Sequence, residues 1–218
     1  YLVQHSAGSG KTNSIAWTAH FLADLHDEND NKIFDTVIVV SDRNVIDSQL
    51  QEAIDSFERT AGVVATIKSG NDSKSSQLAE ALSGDKKIVV CTIQTFPKAI
   101  EKVRELAATD GKRFAVIADE AHRCTGELGS LFTTILDQSL IKAKRRLFTT
   151  ATPRTYSTSL KKKASERGIE VSGMDDESIF GPVFHKLGFS AAINHTPPIL
   201  TDYQVVIVGV DEPIVASW

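Results

Sequence analysis

Along the chain, short runs of β-branched and other apolar residues alternate with longer segments whose apolar positions recur every three or four residues. A parallel sheet wrapped by crossover helices is written in this way. The short runs fall at residues 1–4, 36–41, 62–67, 87–92, 114–118 and 146–150, each bounded by polar residues. Val37-Ile38-Val39-Val40 and Ile88-Val89-Val90 are apolar without alternation, as strands covered on both faces must be, so they are expected at the centre of the sheet. Helices are expected at 12–25, 45–57, 75–82, 97–108 and 129–137. The polar stretches 27–32 and 69–76 read as exposed connections. After Pro153 the rhythm weakens through Lys161-Lys162-Lys163, Asp175-Asp176-Glu177 and the pair Pro197-Pro198, before a last apolar run at 203–210. A boundary near Arg154 is expected, dividing the chain into 1–153 and 154–218.

Composition narrows the class without choosing a function. At 218 residues the chain can bury a full core, and 41% hydrophobic with 24% charged residues excludes disordered, fibrous and collagen-like proteins. No apolar run approaches the ~20 residues of a membrane-spanning helix, so no membrane partner is expected. The two cysteines, Cys91 and Cys124, form no paired spacing, which fits a reducing cytoplasm and gives no support to a disulfide framework or zinc ribbon. A net charge of -4 argues against coating nucleic acid by bulk positive charge, yet leaves a local groove open. The lysines and arginines at 142, 144, 145 and 146, like Lys161 to Lys163, are expected on solvated faces. The chain lacks an initiator Met and opens only a few residues before its most informative motif, as a fragment would.

That motif is HSAGSGKT at residues 5–12, between an apolar strand and a helical stretch. A loop of small residues can turn its backbone N–H groups onto phosphate oxygens, and the following helix presents its N-terminus to the same anion. Ala7, Gly8, Ser9, Gly10, Lys11 and Thr12 are therefore the candidate nucleotide-binding residues, with Lys11 bridging the terminal phosphates and the Thr12 hydroxyl ligating magnesium. His5 stands where the full pattern asks for glycine, and Ser6 and Ser9 can equally be turn formers.

The apolar strand 114–118 ends in Asp119-Glu120-Ala121-His122. If it lies beside the phosphate-loop strand, Asp119 can hold magnesium and Glu120 can orient and polarise an attacking water. Taken alone, such a pair is more often a helix cap with a first-turn acid; the phosphate loop upstream favours metal-assisted phosphoanhydride hydrolysis. A third strand runs into Thr149-Thr150-Ala151-Thr152-Pro153, whose hydroxyls can relay position, although threonine and proline also suit a plain strand exit.

With HSAGSGKT, DEAH and TTATP in this order, the sequence resembles the first RecA-like lobe of superfamily two helicases and nucleic-acid translocases. Residues 4–12, Ser41-Asp42-Arg43-Asn44 and Thr92-Ile93-Gln94-Thr95-Phe96 look more narrowly like the motor of type I restriction enzymes. Phe180-Gly181-Pro182 and Leu200-Thr201-Asp202-Tyr203 look like single-polypeptide restriction translocases. The resemblance implies a three-layer α/β RecA-like P-loop NTPase domain with a mainly parallel sheet, 1–153 being the ATP-binding lobe and 154–218 its C-terminal part and connection toward a second RecA-like lobe.

It further implies ATP and Mg2+ as cofactors, Lys11, Asp119, Glu120 and His122 as the hydrolytic set, magnesium on Thr12 and Asp119, and coupling of hydrolysis to movement through His122, Thr150 and Thr152. Nucleic acid would cross Asp42, Arg43, Asn44, Ser69, Gly70, Thr92, Gln94 and Thr95, through contacts that position it without reading its sequence. The implied partners are duplex DNA, the second lobe, and methyltransferase and specificity subunits. A strand-separating helicase of another branch and a nucleotide-gated binding switch are the alternatives.

Overall fold

The computed structural model describes residues 1–41, 44–57, 62–67, 73–95, 111–139 and 141–202. The helix expected at 97–108, the last apolar run at 203–210, and Asp42, Arg43, Ser69 and Gly70 lie outside the described residues.

Seven strands form one sheet: β1 (Leu2–His5), β2 (Thr36–Ser41), β3 (Val64–Thr66), β4 (Ile88–Thr92), β5 (Phe114–Ala118), β7 (Ala143–Thr150) and β9 (Val183–Leu187). Their order is β3-β4-β2-β5-β7-β1-β9, and every neighbouring pair is parallel. Two short strands, β6 (Gly126–Glu127) and β8 (Val171–Ser172), make a separate antiparallel ladder. Helices α1 (Lys11–Ala23), α2 (Asn44–Ser56), α3 (Lys74–Ser83), α4 (Thr158–Ser165), α5 (Glu177–Phe180) and α6 (Phe189–Ile193) follow in chain order.

The unbroken apolar runs are explained by two cores, one on each face of the sheet. Val37, Val39, Ile88, Val90, Ala115 and Ile117 point to one face, where Ile15, Ala16 and Ala19 of α1 and Leu50 and Ile54 of α2 cover them. The alternate residues Ile38, Val40, Val89, Cys91, Val116 and Ala118 point to the other face, where they belong to a cluster with Leu78 and Leu82 of α3, Phe148, Met174 and Phe180. Both periods of two are therefore apolar, and the hydrophobic effect holds these strands central.

Four expectations need correction. The strand expected at 146–150 begins at Ala143, and Arg146 is not on a solvated face. Its guanidinium donates to the carbonyl oxygens of Ile135 (2.9 Å) and Ile141 (2.8 Å), tying β7 to the preceding loop. Burial, partly opposed by Asp137, lowers its pKa. The helix expected at 129–137 is a 3-10 segment, Leu131–Leu136, because the Thr133 and Thr134 hydroxyls donate to the Ser130 carbonyl and compete with an α-helical ladder. The rhythm lost after Pro153 resumes in β9, which pairs with β1, and in Phe180, whose ring meets Phe148 edge-on with centroids 4.9 Å apart. β9 escapes sequence reading because VFHKL lies at an edge and is mostly exposed, so it lacks the apolar signature of a central strand.

Phe180 is fully buried, whereas Phe184 on the sheet edge is 73% exposed. Phe180→Ala is expected to cost about 3–5 kcal/mol in urea unfolding, and Phe184→Ala no more than about 0.5 kcal/mol. An unchanged midpoint for Phe180→Ala would mean that the residues beyond Pro153 do not belong to this core.

Candidate functional site

Because all seven strands run the same way, their carboxyl ends share one edge, and the motif residues at the ends of β1, β5 and β7 meet there. The phosphate loop leaves β1 after His5. Gly8 and Gly10 adopt the left-handed conformation, φ +78° and +80°, which glycine reaches without strain. The Ser9 hydroxyl donates to the Ser6 carbonyl at 2.6 Å and so closes the turn, which makes Ser9 a loop-shaping residue in this structure. Gly10 caps α1 with no side-chain bond, and the first turn holds no acidic residue. Ala7 and Gly8 are exposed above it, and Thr12 is half-buried. The N-terminus of a 13-residue helix is thus left open to an anion from outside.

Lys11 reaches from this helix across to β5. Its ammonium lies 3.1 Å from Asp119 Oδ1 and donates to Glu120 Oε1. Burial disfavours its charge, but the two carboxylates outweigh burial and hold its pKa above the ordinary lysine value. The acidic strand does not lie directly beside the phosphate-loop strand, the condition attached to the roles of Asp119 and Glu120; β7 lies between them and fills the gap with hydroxyls. Thr149 donates to Asp119 Oδ1 at 2.9 Å. Thr150 Oγ1 lies 3.2 Å from His122 Nδ1, which is also 3.3 Å from Glu120 Oε2. The Thr152 N–H donates to Thr150 Oγ1 at 3.3 Å, while the residue itself is exposed.

Glu120 has φ +50°, a left-handed conformation that costs a non-glycine residue free energy and persists where surrounding contacts over-determine it. Here the Lys11 contact on one side and the 3-10 turn Ala121–Cys124 on the other fix it, with the Arg123 N–H donating to the Glu120 carbonyl at 2.9 Å. The turn is braced by Thr125, which donates to the His122 carbonyl and lies 3.3 Å from the Tyr156 hydroxyl.

Lys11, Asp119, Glu120, His122 and Thr150 therefore converge. Thr92 and Thr95 do not join them. Their hydroxyls are buried and 2.8 Å apart, bonding each other in the turn after β4, and of the residues 92, 94 and 95 only Gln94 is exposed. Asn44 opens α2. Sequence reasoning missed Thr149, the hydroxyl that touches Asp119, because in TTATP either leading threonine could face the site and only the β5–β7 register decides. It named Leu200 only within a resemblance and did not foresee its place against Gly8, where a Cβ would lie 3.2 Å from Leu200 Cδ2. Asp119 and Thr12, the residues expected to hold magnesium, are hard oxygen donors of the kind that ion takes together with phosphate oxygens, and Glu120 brings a second carboxylate to the same lysine. The fit is supported by Lys11, whose cationic head already rests against Asp119.

The family model for the SWI2/SNF2 ATPase matches residues 2–196. No curated protein matches the chain. Among solved structures, the chain is similar to a nuclease-deletion mutant of the Type ISP restriction-modification enzyme LlaGI in complex with a DNA substrate mimic, at 21% identity and TM-score 0.58, covering 88% of this chain and 18% of that one. It is similar to the ATP-dependent Type ISP enzyme LlaBIII bound to DNA, at 22% identity and TM-score 0.61, covering 93% and 15%. The Pyrococcus furiosus Hef helicase domain matches at 18% identity and TM-score 0.59, covering 91% and 35%. At these identities the likeness establishes the RecA-like α/β fold, and the chain spans less than a fifth of either restriction enzyme.

Because the Lys11 pKa is raised on folding, its ion pairs contribute fully below the unfolded value, ~10.4, and that contribution is lost as pH rises through the higher folded value. Urea unfolding between about pH 8 and 12 is expected to show a steeper alkaline loss of stability for the wild type than for Lys11→Met. Parallel curves would mean that the ammonium is not held by Asp119 and Glu120.

Proposed function

The chain belongs to the SWI2/SNF2 ATPase family, and on that premise we propose that it is the ATP-binding lobe of a motor that moves along duplex DNA, of the restriction-enzyme type. One observation carries the proposal: a lysine at an open helix N-terminus is ion-paired with the two carboxylates at the end of β5, beside a histidine and two threonines that connect them to β7.

This arrangement suits a site that waits for phosphates. The terminal phosphates of ATP would compete for the Lys11 ammonium and for the N-terminus of α1. Once Lys11 turns to them, Glu120 loses a partner and its carboxylate is free to orient and polarise the attacking water. Asp119, still held by Thr149, would with Thr12 hold magnesium, which when bound neutralises charge on the phosphates. His122 contacts both Glu120 and Thr150, and Thr150 accepts from the Thr152 N–H, so a change at Glu120 reaches the loop at Thr152 through three successive contacts. That path is the proposed coupling between hydrolysis and movement.

DNA as the track is supported by the two restriction enzymes of the same fold, described in complex with DNA or a DNA mimic. On this chain it would pass over the carboxyl edge of the sheet, near Gln94 and the start of α2; the contacts expected of Asp42, Arg43, Ser69 and Gly70 fall outside the described residues. A second RecA-like lobe would supply the arginines that stabilise charge on the transferred phosphoryl group, worth about 10³ to 10⁵ in rate in related enzymes. Without it this lobe is expected to hydrolyse ATP at a near-basal rate. The fold shared with the Hef helicase domain supports, as the second proposal, a strand-separating helicase.

Steady-state ATP hydrolysis by the full-length protein at fixed low salt, compared across no polymer, linear duplex, single-stranded DNA and RNA, separates these outcomes. Duplex stimulation is expected; preference for single strands or RNA would replace the translocase with the helicase, and no turnover would leave a nucleotide-gated switch. In the same assay Glu120→Gln is expected to keep nucleotide affinity and lose turnover by about 10²-fold or more, while Lys11→Ala loses both. Polymer-stimulated turnover unaffected by either substitution would overturn the assigned site.

A further inference from the structure

The root of the phosphate loop carries an interaction that the hydrolytic set does not use. His5, the last residue of β1, is 9% exposed, and its Nε2 lies 2.8 Å from Nδ1 of the exposed His185 on β9. The two rings stand at 72° with centroids 5.0 Å apart. One step further, the Ser6 N–H donates to the Leu187 carbonyl at 2.8 Å, so the first loop residue also hangs on β9. The chain then passes through α6 and returns to set Leu200 against Gly8, in the middle of the loop. Strand β9 and the segment after it therefore touch the phosphate loop at its root and at its crown.

Burial decides which imidazole donates. His5 Nδ1 is buried and has no partner. If His185 donated to His5 Nε2, neutral His5 would carry its proton on that orphaned Nδ1, an unpaired buried donor. With the proton on Nε2, His5 donates to His185 Nδ1, and the proton of His185 sits on the nitrogen of an exposed ring that solvent can reach. His5 Nδ1 stays unpaired in either tautomer, but with the proton on Nε2 it is a bare lone pair rather than an orphaned N–H, so the pattern that puts no unpaired donor in the interior is His5 neutral with Nε2–H and His185 bare at Nδ1. Protonating His5 is opposed by burial first, then by His185 and by the Lys11 ammonium, which together lower its pKa. Among the described residues, the charged or titratable groups that act on His5 are His185 from β9 and Lys11 from α1. The β7 residues in register with Val3 and Gln4 are the uncharged Thr149 and Thr150.

We propose that His185 is a positioning residue for nucleotide binding: by accepting the His5 Nε2 proton it fixes the imidazole at the root of the phosphate loop, and with it the path of residues 6–10. This rests on the phosphate loop being the nucleotide site. It gives the histidine at position 5, where the loop pattern asks for glycine, a structural partner 180 residues away. It also makes the loop sensitive to anything that moves β9.

The test is the affinity of the 218-residue chain for a fluorescent N-methylanthraniloyl ADP with magnesium, measured at about pH 8. His185→Ala is expected to bind about fivefold more weakly than the wild type, the size of one lost hydrogen bond. His185→Asn is expected to recover most of that affinity, because its side-chain oxygen can accept where the imidazole Nδ1 does. Equal affinity for wild type and His185→Ala overturns the proposal, as does a His185→Asn variant no better than His185→Ala.

Lys11→Ala separates the two levels. If it binds nucleotide as tightly as the wild type, or the wild type does not bind, the nucleotide-site proposal fails and takes this one with it. If Lys11→Ala is weak and His185→Ala is not, only the role of His185 fails. Long-range proton–nitrogen NMR of the wild type reads the pair directly, even should His185→Ala not fold. Protonation of His5 at Nε2 is expected, and protonation at Nδ1 overturns the proposal.

Discussion

A buried ammonium must be paired, and the site is organised around that requirement. Lys11 has a side chain 12% exposed, and Asp119, its partner, is 3% exposed. Neither charge could be held there alone, since removing one member of such a pair leaves the other without compensation in a medium that solvates it poorly. Lys11 comes from the helix after β1 and the carboxylates from the end of β5, two strands separated by β7. The middle strand must therefore present groups that fit between opposite charges without adding one. Thr149 and Thr150 do this, the first as a donor to Asp119 and the second as a partner of His122.

What places these ends together is the packing of the strands behind them. In β2, β4 and β5 both periods of two are apolar, so each strand is gripped from two sides and cannot slip by one residue without the same burial being remade elsewhere. With all pairs parallel, the carboxyl ends lie on one edge, which is also where α1 begins and its N–H groups point. An anion site and a cation-holding carboxylate thus arise side by side from the topology, with a long lysine linking them.

The pairing is also what makes the site responsive. Glu120 keeps a left-handed backbone because Lys11 and the following turn hold it, and a ligand that draws Lys11 away relaxes one of those two restraints. On the opposite side of the loop, His5 and Leu200 connect the same residues to β9 and to the segment that follows it. The phosphate loop therefore lies between two connections, one to the acidic turn and one to the C-terminal part of the described chain.

The strands at 36–41, 87–92 and 114–118 were legible because a doubly covered strand must be apolar throughout, and α1 because a glycine-rich turn precedes an apolar stripe. The candidates Lys11, Asp119, Glu120 and His122 were legible only in combination: an acidic pair at a strand end is by itself more often a helix cap, and the phosphate loop upstream is what turns it into a candidate partner for Lys11. Strand order was not legible, and it decides that β7 rather than β5 flanks β1, that Thr149 rather than Thr150 reaches Asp119, and that Thr92 and Thr95 bond each other inside a turn. Nor did any local pattern mark VFHKL as the strand beside β1, or join His5 to His185. By itself, then, the sequence determined which segments are buried and which residues carry charge, because burial and charge belong to individual side chains. Which of those residues touch was decided only by the tertiary structure, because contact across strands depends on order and register, and these are set by the packing of the whole sheet.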